Sequence, residues 1–186
     1  MIAAFVSRVQ ILQCVEISRK EGILEGVNFN SPVQTVVAGD KEALERFKKN
    51  AKAIGQIKAV PLSVSTAFHS PMMLPAVRKL KELLFASGLK RPTVPIYSNV
   101  TGKDMMEGAA GEDGQFIAEL MAKQAMSPVY WQETIENMYA DGIKVFIEIG
   151  PGNTLSGLAK KTNHELITMN IGDRETLDNT MAKLEE

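Results

Sequence analysis

Between Ile2 and Val64 strand-length apolar runs alternate with helical stripes in one order, β-α-β-β-α-β, and this restricts the fold more than any other feature of the chain. Residues 2–7 (IAAFVS) read as a strand, and residues 8–21 place Val9, Leu12, Val15 and Ile17 at helix-face spacings, with Gly22 as the stop. Two β-rich runs, 23–29 (ILEGVNF) and 33–38 (VQTVVA), flank Asn30, Ser31 and Pro32, a turn composition that predicts a hairpin or a closely related antiparallel connection. Asp40 after Gly39 is the expected N-cap of a helix with Ala43, Leu44, Phe47 and Ala51 on its apolar side, ended by Gly55. Residues 57–64 are again strand-like. This is the split βαβ, or ferredoxin-like, order, so residues 1–64 are expected to form one small subdomain.

Beyond Ser65 the rhythm becomes that of an α/β protein, and residues 65–186 are expected to form a second region. Leu74, Val77, Leu80 and Leu84 form one helical stripe ended by Gly88, and Val94–Tyr97 (VPIY) predicts a strand whose Pro95 places it at an edge or a start. Four glycines within residues 101–114 mark a loop or insertion; helices are expected over 115–125 and 131–141, broken at Ser127-Pro128. Residues 144–149 (KVFIEI) predict a buried strand, Gly150-Pro151-Gly152 a tight turn, and Asn153 the cap of a helix through Lys161. A strand at 166–171 and an amphipathic helix from Glu175 complete the pattern.

Composition narrows the chemistry. Of the 186 residues 45% are hydrophobic and 23% charged, enough apolar side chain for an ordinary globular core, which excludes disordered and disulfide-scaffold classes. The net charge is −1 and no block of Lys or Arg occurs, so nucleic acid and acidic membrane surfaces are not expected partners. The single cysteine, Cys14, has no partner within the chain and no Cys/His cluster has zinc spacing, which predicts a reducing, cytoplasmic compartment, a buried thiol acting as a small hydrophobe, and no metal. No window approaches the roughly 18 apolar residues needed to span a bilayer.

Two histidines, His69 and His164, are the only imidazoles available for acid–base work. His164 lies in a polar Thr-Asn-His-Glu turn and reads as a surface residue. His69, in Ser65-Thr66-Ala67-Phe68-His69-Ser70-Pro71-Met72-Met73, follows a strand and precedes a helix that Ser70 is expected to cap, where the positive end of the helix dipole favours a neutral ring. On local sequence alone a satisfied loop histidine is the plainer reading. Gly150-Pro151-Gly152 lacks both the P-loop ending and the dinucleotide spacing, and no Gly-x-Ser-x-Gly elbow occurs, so the chain does not encode a self-contained serine transferase.

Taken together, Asn28-Phe29-Asn30-Ser31-Pro32, Val37-Ala38-Gly39, Ser65-Thr66-Ala67-Phe68-His69-Ser70, Ser98-Asn99-Val100-Thr101, Ser127-Pro128-Val129-Tyr130-Trp131 and Glu148-Ile149-Gly150-Pro151-Gly152 resemble the malonyl-CoA:acyl carrier protein transacylases, in matching order over nearly the whole chain. The resemblance implies a ferredoxin-like subdomain followed by the C-terminal half of an α/β-hydrolase-like domain, with no position for that family's nucleophilic serine, malonyl-pairing arginine or oxyanion-hole glutamine. It also implies malonyl transfer from coenzyme A to the phosphopantetheine thiol of an acyl carrier protein, in fatty acid or polyketide biosynthesis, by a Ser-His ping-pong mechanism with no cofactor beyond the coenzyme A thioester substrate. His69 becomes the expected base, the main-chain carbonyl of Gln124 its orienting group, Phe68 a malonyl-selecting wall, and Asn28 and Asn30 the floor of the site. A chain with the base and without the nucleophile is expected to be inactive alone and, with half a parallel sheet bare, to self-associate. The alternative is a non-catalytic module that binds acyl carrier protein through Lys48, Lys49, Lys52 and Lys58.

Overall fold

The computed structural model describes residues 1–54 and 57–185, in two compact units, Met1–Thr134 and Ile135–Glu186. In the first, β1 (Ile2–Phe5), α1 (Arg8–Arg19), β2 (Leu24–Ser31), β3 (Gln34–Gly39), α2 (Lys41–Ile54) and β4 (Lys58–Pro61) follow one another in the order read from the sequence. The sheet runs β2-β3-β1-β4, with every pairing antiparallel. Gly55, the expected helix terminator, lies outside the described residues.

Side-chain alternation assigns each face. Ile2, Ala4, Leu24 and Val37 point toward α1 and α2 and meet Ile11, Cys14, Val15, Ala43, Phe47 and Ala51, all buried. Ala3, Val27, Val36 and Ala38 line the opposite face, where Ala67 packs on them. Cys14 is fully buried, and burial pushes its thiol above the ordinary cysteine range. Asp40 precedes α2, its carbonyl accepting from the Leu44 amide, while its carboxylate accepts from the Ile23 amide at 2.5 Å and so ties the start of β2 to the end of β3.

After β4 come a single 3₁₀ turn (Pro71–Met73), α3 (Leu74–Ala86), α4 (Asp113–Gln124) and α5 (Trp131–Ala140), within which the boundary between the units falls. The helix expected from the Leu74, Val77, Leu80 and Leu84 stripe is present as α3, with Val77 its one buried member, and one expectation for this stretch is corrected. Val94–Tyr97 forms no strand: Tyr97 makes an isolated bridge to Asp104, and Val94 and Ile96 face solvent. A strand needs a continuous ladder for its amides and carbonyls, and the Tyr97–Asp104 bridge is isolated.

The second unit holds β5 (Val145–Ile149), α6 (Thr154–Thr162), β6 (Ile167–Ile171) and α7 (Arg174–Leu184), with β5 and β6 paired in parallel, Val145 opposite Ile167 and Ile149 opposite Ile171. The buried strand expected at 144–149 is corrected too: Val145, Ile147, Ile149 and Ile167 are exposed, Ile149 to 81%. Such apolar runs suit the middle of a parallel sheet covered on both faces, and here β5 has one neighbour among the described residues. Asn153 stands at the start of α6 but its side chain makes no capping bond; instead the Glu148 carboxylate, reaching from β5, accepts from the Leu155 and Ser156 amides at 3.1 and 2.8 Å. Asp173 and Thr176 form a reciprocal capping box on α7.

Two predictions follow from these contacts. A Cβ at Gly39 would lie 2.1 Å from the Ile23 carbonyl oxygen and 2.8 Å from the Leu24 Cα, whereas one at Gly157 in α6 meets nothing within 4 Å. Gly39→Ala should therefore destabilise by about 1–3 kcal/mol through overpacking against rigid backbone. Gly157→Ala should stabilise by up to about 1 kcal/mol, and urea unfolding of the two variants reads the contrast. Glu148 supplies the second. Burial raises its carboxyl, but the amide bonds from Ser156 and Leu155 outweigh that and leave it below the ordinary value of 4.5. A folded-state value below the unfolded one gives stability that is present above the ordinary value and lost as pH falls through the folded one. The stability gap between wild type and Glu148→Gln should thus close on acidification from about pH 7 to about pH 3, and a gap independent of pH would contradict the capping role.

Candidate functional site

His69 sits in the connection that leaves β4, where Ala67 is held on the sheet and Ser70 is fully buried. Ser70 does not cap the following helix, as its sequence position suggested. Its hydroxyl donates to the Ala67 carbonyl at 2.7 Å, closing the turn around His69. His69 itself adopts φ +61°, a left-handed conformation that few residues other than glycine occupy, at a cost of roughly 1–2 kcal/mol.

Two bonds hold that conformation, and both go to the carboxyl end of α4. The His69 amide donates to the Ala125 carbonyl at 3.2 Å, and ring Nδ1 meets the Gln124 carbonyl at 3.1 Å. Helix α4 is driven by its buried face, Ile117, Ala118 and Ala122, and its last carbonyls, Ala122, Lys123 and Gln124, accept from the Ala125, Met126 and Ser127 amides at 3.3, 3.1 and 3.4 Å. Ser127-Pro128 ends it. The histidine thus faces a carbonyl terminus rather than the amide terminus expected from sequence. A carbonyl accepts and cannot donate, so Nδ1 is the donor in this bond, and in the neutral ring Nε2 then carries the lone pair. The ring is half-buried, and among the described residues no side-chain hydroxyl hydrogen-bonds it.

The connector after α4 is fastened to the edge of the sheet. Val129 donates to the Val27 carbonyl and accepts from the Phe29 amide, each at 2.8 Å, in a parallel bridge opposite Asn28. The Tyr130 amide donates to the Asn99 carbonyl at 2.9 Å, and the Tyr130 ring stacks on Phe29 with centroids 5.4 Å apart. Arg8, from the first turn of α1, lies 4.4 Å from the centre of the Phe29 ring and pairs with Glu133, with a further bond of 2.9 Å to Gln132.

Of the residues singled out by sequence, the fold thus joins His69 to Gln124 directly and brings Asn28 onto the connector that begins at Gln124. Phe68 adjoins His69 with 43% of its surface exposed, and Asn30 is half-buried near the end of β2 without a bond to His69. His164 is exposed. The Ala125 carbonyl and the Arg8–Phe29–Tyr130–Glu133 stack were not foreseen; a main-chain acceptor leaves no mark in a sequence. Among the described residues no three His, Cys, Asp or Glu side chains gather as a metal-ligand set. A cavity of about 460 Å³ lined by Asp40, Leu44, Lys48, Leu62, Thr66 and Met72 lies beside the His69 turn without His69 on its wall. The arrangement therefore commits Nδ1 to a carbonyl and leaves Nε2 without a side-chain hydroxyl among the described residues.

Comparison with known proteins places the chain in a family. Residues 12–183 match the model of the acyl transferase domain family. The malonyl CoA-acyl carrier protein transacylase of Bacillus subtilis (strain 168) is 39% identical over 171 residues, which are 92% of this chain and 52% of the relative. The crystal structure of the transacylase of that name from Clostridium perfringens superposes with a TM-score of 0.91 at 36% identity, covering 99% of this chain and 56% of that one. A type II polyketide synthase acyl-carrier protein in complex with its malonyl-transacylase matches at 32% identity and TM-score 0.87, over 98% of this chain and 58% of the matched one. The chain spans about half the length of these relatives.

Proposed function

Since the chain belongs to the acyl transferase domain family, we propose that it carries the base-bearing half of a malonyl transfer site and that His69 is the base. The observation that carries this reading is the Nδ1 bond to the Gln124 carbonyl, which leaves Nε2 as acceptor on a half-buried ring. A serine in the stretch that this chain leaves unspanned gives its hydroxyl proton to Nε2 and attacks the malonyl thioester; the carbon–sulfur bond breaks and coenzyme A leaves with that proton. In the second half-reaction the phosphopantetheine thiol gives its proton to Nε2 and attacks the serine ester, and the serine oxygen regains the proton. The carbonyl end of α4 complements the positive charge that the ring holds between these transfers. A thioester is reactive enough that no cofactor or metal is called for.

The remaining roles follow the same frame. Element order and sheet order support reading residues 1–64 as a ferredoxin-like subdomain, and the parallel β5–β6 pair supports reading 65–186 as the C-terminal half of an α/β-hydrolase-like domain. Phe68, exposed beside His69, crowds an α-substituent on the acyl group, a preference worth about 1–3 kcal/mol for one methyl. Asn28 and Asn30 form the floor. An acyl carrier protein is the acceptor, as the complex of a matched relative with its carrier protein supports. With no serine bonded to His69, the chain alone is inactive.

Malonyl transfer to holo acyl carrier protein tests this. The purified chain should give no turnover. Joined to the unspanned portion of the Bacillus subtilis relative it should turn over, and His69→Ala in that fusion should lower kcat/KM by about 10²–10⁴-fold. Turnover by the chain alone, or an undiminished His69→Ala fusion, would overturn the proposal. The bare β5–β6 face supplies a separate expectation: sedimentation should show self-association that weakens when Ile147 and Ile149 are replaced by Thr, and a clean monomer at high concentration would contradict it.

A further inference from the structure

We propose that Arg8 is a positioning residue for His69, acting by clamping the first turn of α5 onto strand β2 and so fixing the carbonyl that sets the histidine tautomer. The proposal deepens the reading of His69 as base and rests on it for its catalytic meaning, though the geometry stands by itself.

Both ends of the Nδ1–Gln124 bond are hung from one residue of the sheet. The Val27 side chain packs in the cluster that holds Ala67, two residues before His69, while the Val27 carbonyl accepts from Val129, five residues after Gln124. The His69 side of this frame is closed by the Ser70 hydroxyl and by the strained backbone. The Gln124 side is a short connector, residues 125–130, that contains Pro128 and no helix. Its position depends on how firmly Val129 and Tyr130 stay on the edge of β2.

Arg8 supplies that firmness. Its guanidinium lies over the Phe29 ring, on which the Tyr130 ring also stacks, and its donors grip Glu133 and Gln132 immediately beyond the connector. Arg8 and Glu133 keep only 28% and 30% of their side-chain surface exposed. An exposed ion pair contributes little, but a planar fork that bonds two acceptors while stacked on an aromatic face is geometrically specific, and lysine cannot reproduce it. Without the clamp the Phe29–Tyr130 stack loses its cover, the Val129 pairing opens more often, and the Gln124 carbonyl loses its fixed place opposite Nδ1. A neutral imidazole without that acceptor returns to the Nε2–H form that it prefers in water, which has no lone pair where the reaction needs one.

The two histidines make this directly measurable. Long-range ¹⁵N–¹H spectra of the full chain with labelled histidine, at about pH 9 where an imidazole is neutral, should show His69 as the Nδ1–H tautomer and exposed His164 as an internal reference. In Arg8→Ala the His69 pattern should move to predominantly Nε2–H with His164 unchanged, and Arg8→Lys should not restore it. Ile11→Val, on the same helix and buried, should lower the urea midpoint without moving the His69 pattern, which separates positioning from general destabilisation. Should Arg8→Ala fail to fold, Glu133→Gln, which keeps the shape and loses the charge, carries the same expectation. A folded clamp variant that retains the wild-type pattern refutes the proposal. A wild-type His69 already in the Nε2–H form would instead refute the assignment of His69 as base, so the two failures are distinguishable.

Discussion

The bond between His69 Nδ1 and the Gln124 carbonyl serves two needs at once. Helix α4 ends at Gln124, and Pro128, four residues on, has no amide to give the Gln124 carbonyl, which is left with a long bond of 3.4 Å from Ser127 and with the His69 ring. His69 answers with a backbone amide and a ring N–H, one for Ala125 and one for Gln124. Termination of α4 and orientation of the imidazole are therefore one structural event. Anything that displaces the end of α4 also changes which ring nitrogen holds the proton.

That coupling explains why the small antiparallel sheet matters to a histidine outside it. An edge strand presents unpaired amides and carbonyls, and β2 lies at an edge. Its exposed pairing capacity is taken up by Val129, whose two bonds fasten the α4–α5 connector, while the sheet face beneath supports Ala67. The sheet is thus a template that sets the distance between donor and acceptor from both sides. Its rigidity comes from the layer above: Phe47, Ile11 and Leu24 are fully buried between the sheet and the two helices, and the Cys14 thiol fills space there rather than offering chemistry.

Local periodicity made β1 through β4 and the two helices of that layer legible, because period-two and helical spacings are properties of contiguous residues. Features that depend on distant partners were not legible. Val94–Tyr97 has strand composition but no ladder among the described residues, and the apolar β5 run faces solvent because a central parallel strand is defined by its neighbours. Capping was misassigned wherever a closer competitor existed. The Ser70 hydroxyl turns back to Ala67, and Glu148 rather than Asn153 satisfies α6, since a side chain arriving across the sheet is invisible to a rule about adjacent residues. The site was legible to the extent that it is a motif: His69 and Gln124 lie 55 residues apart, yet both stand at recognisable positions. Arg8 and Glu133, 125 residues apart, carry no motif, and Arg8 marks the sequence only as the charge that interrupts an apolar N-terminal run.

Stability alone does not account for a histidine at position 69. At φ +61° a glycine would avoid a backbone cost of roughly 1–2 kcal/mol and could still donate its amide to Ala125. The ring returns about 0.5–1.5 kcal/mol through its bond to Gln124, a gain that does no more than offset the strain. Folding is therefore close to indifferent between the two residues, and the difference lies in what the imidazole leaves unused. With Nδ1 committed to a carbonyl, the remaining nitrogen is an acceptor of fixed direction, held by a strained turn on one side and a helix end on the other. Strain at a position where it brings no net stability is consistent with the proposed role of His69 as the base.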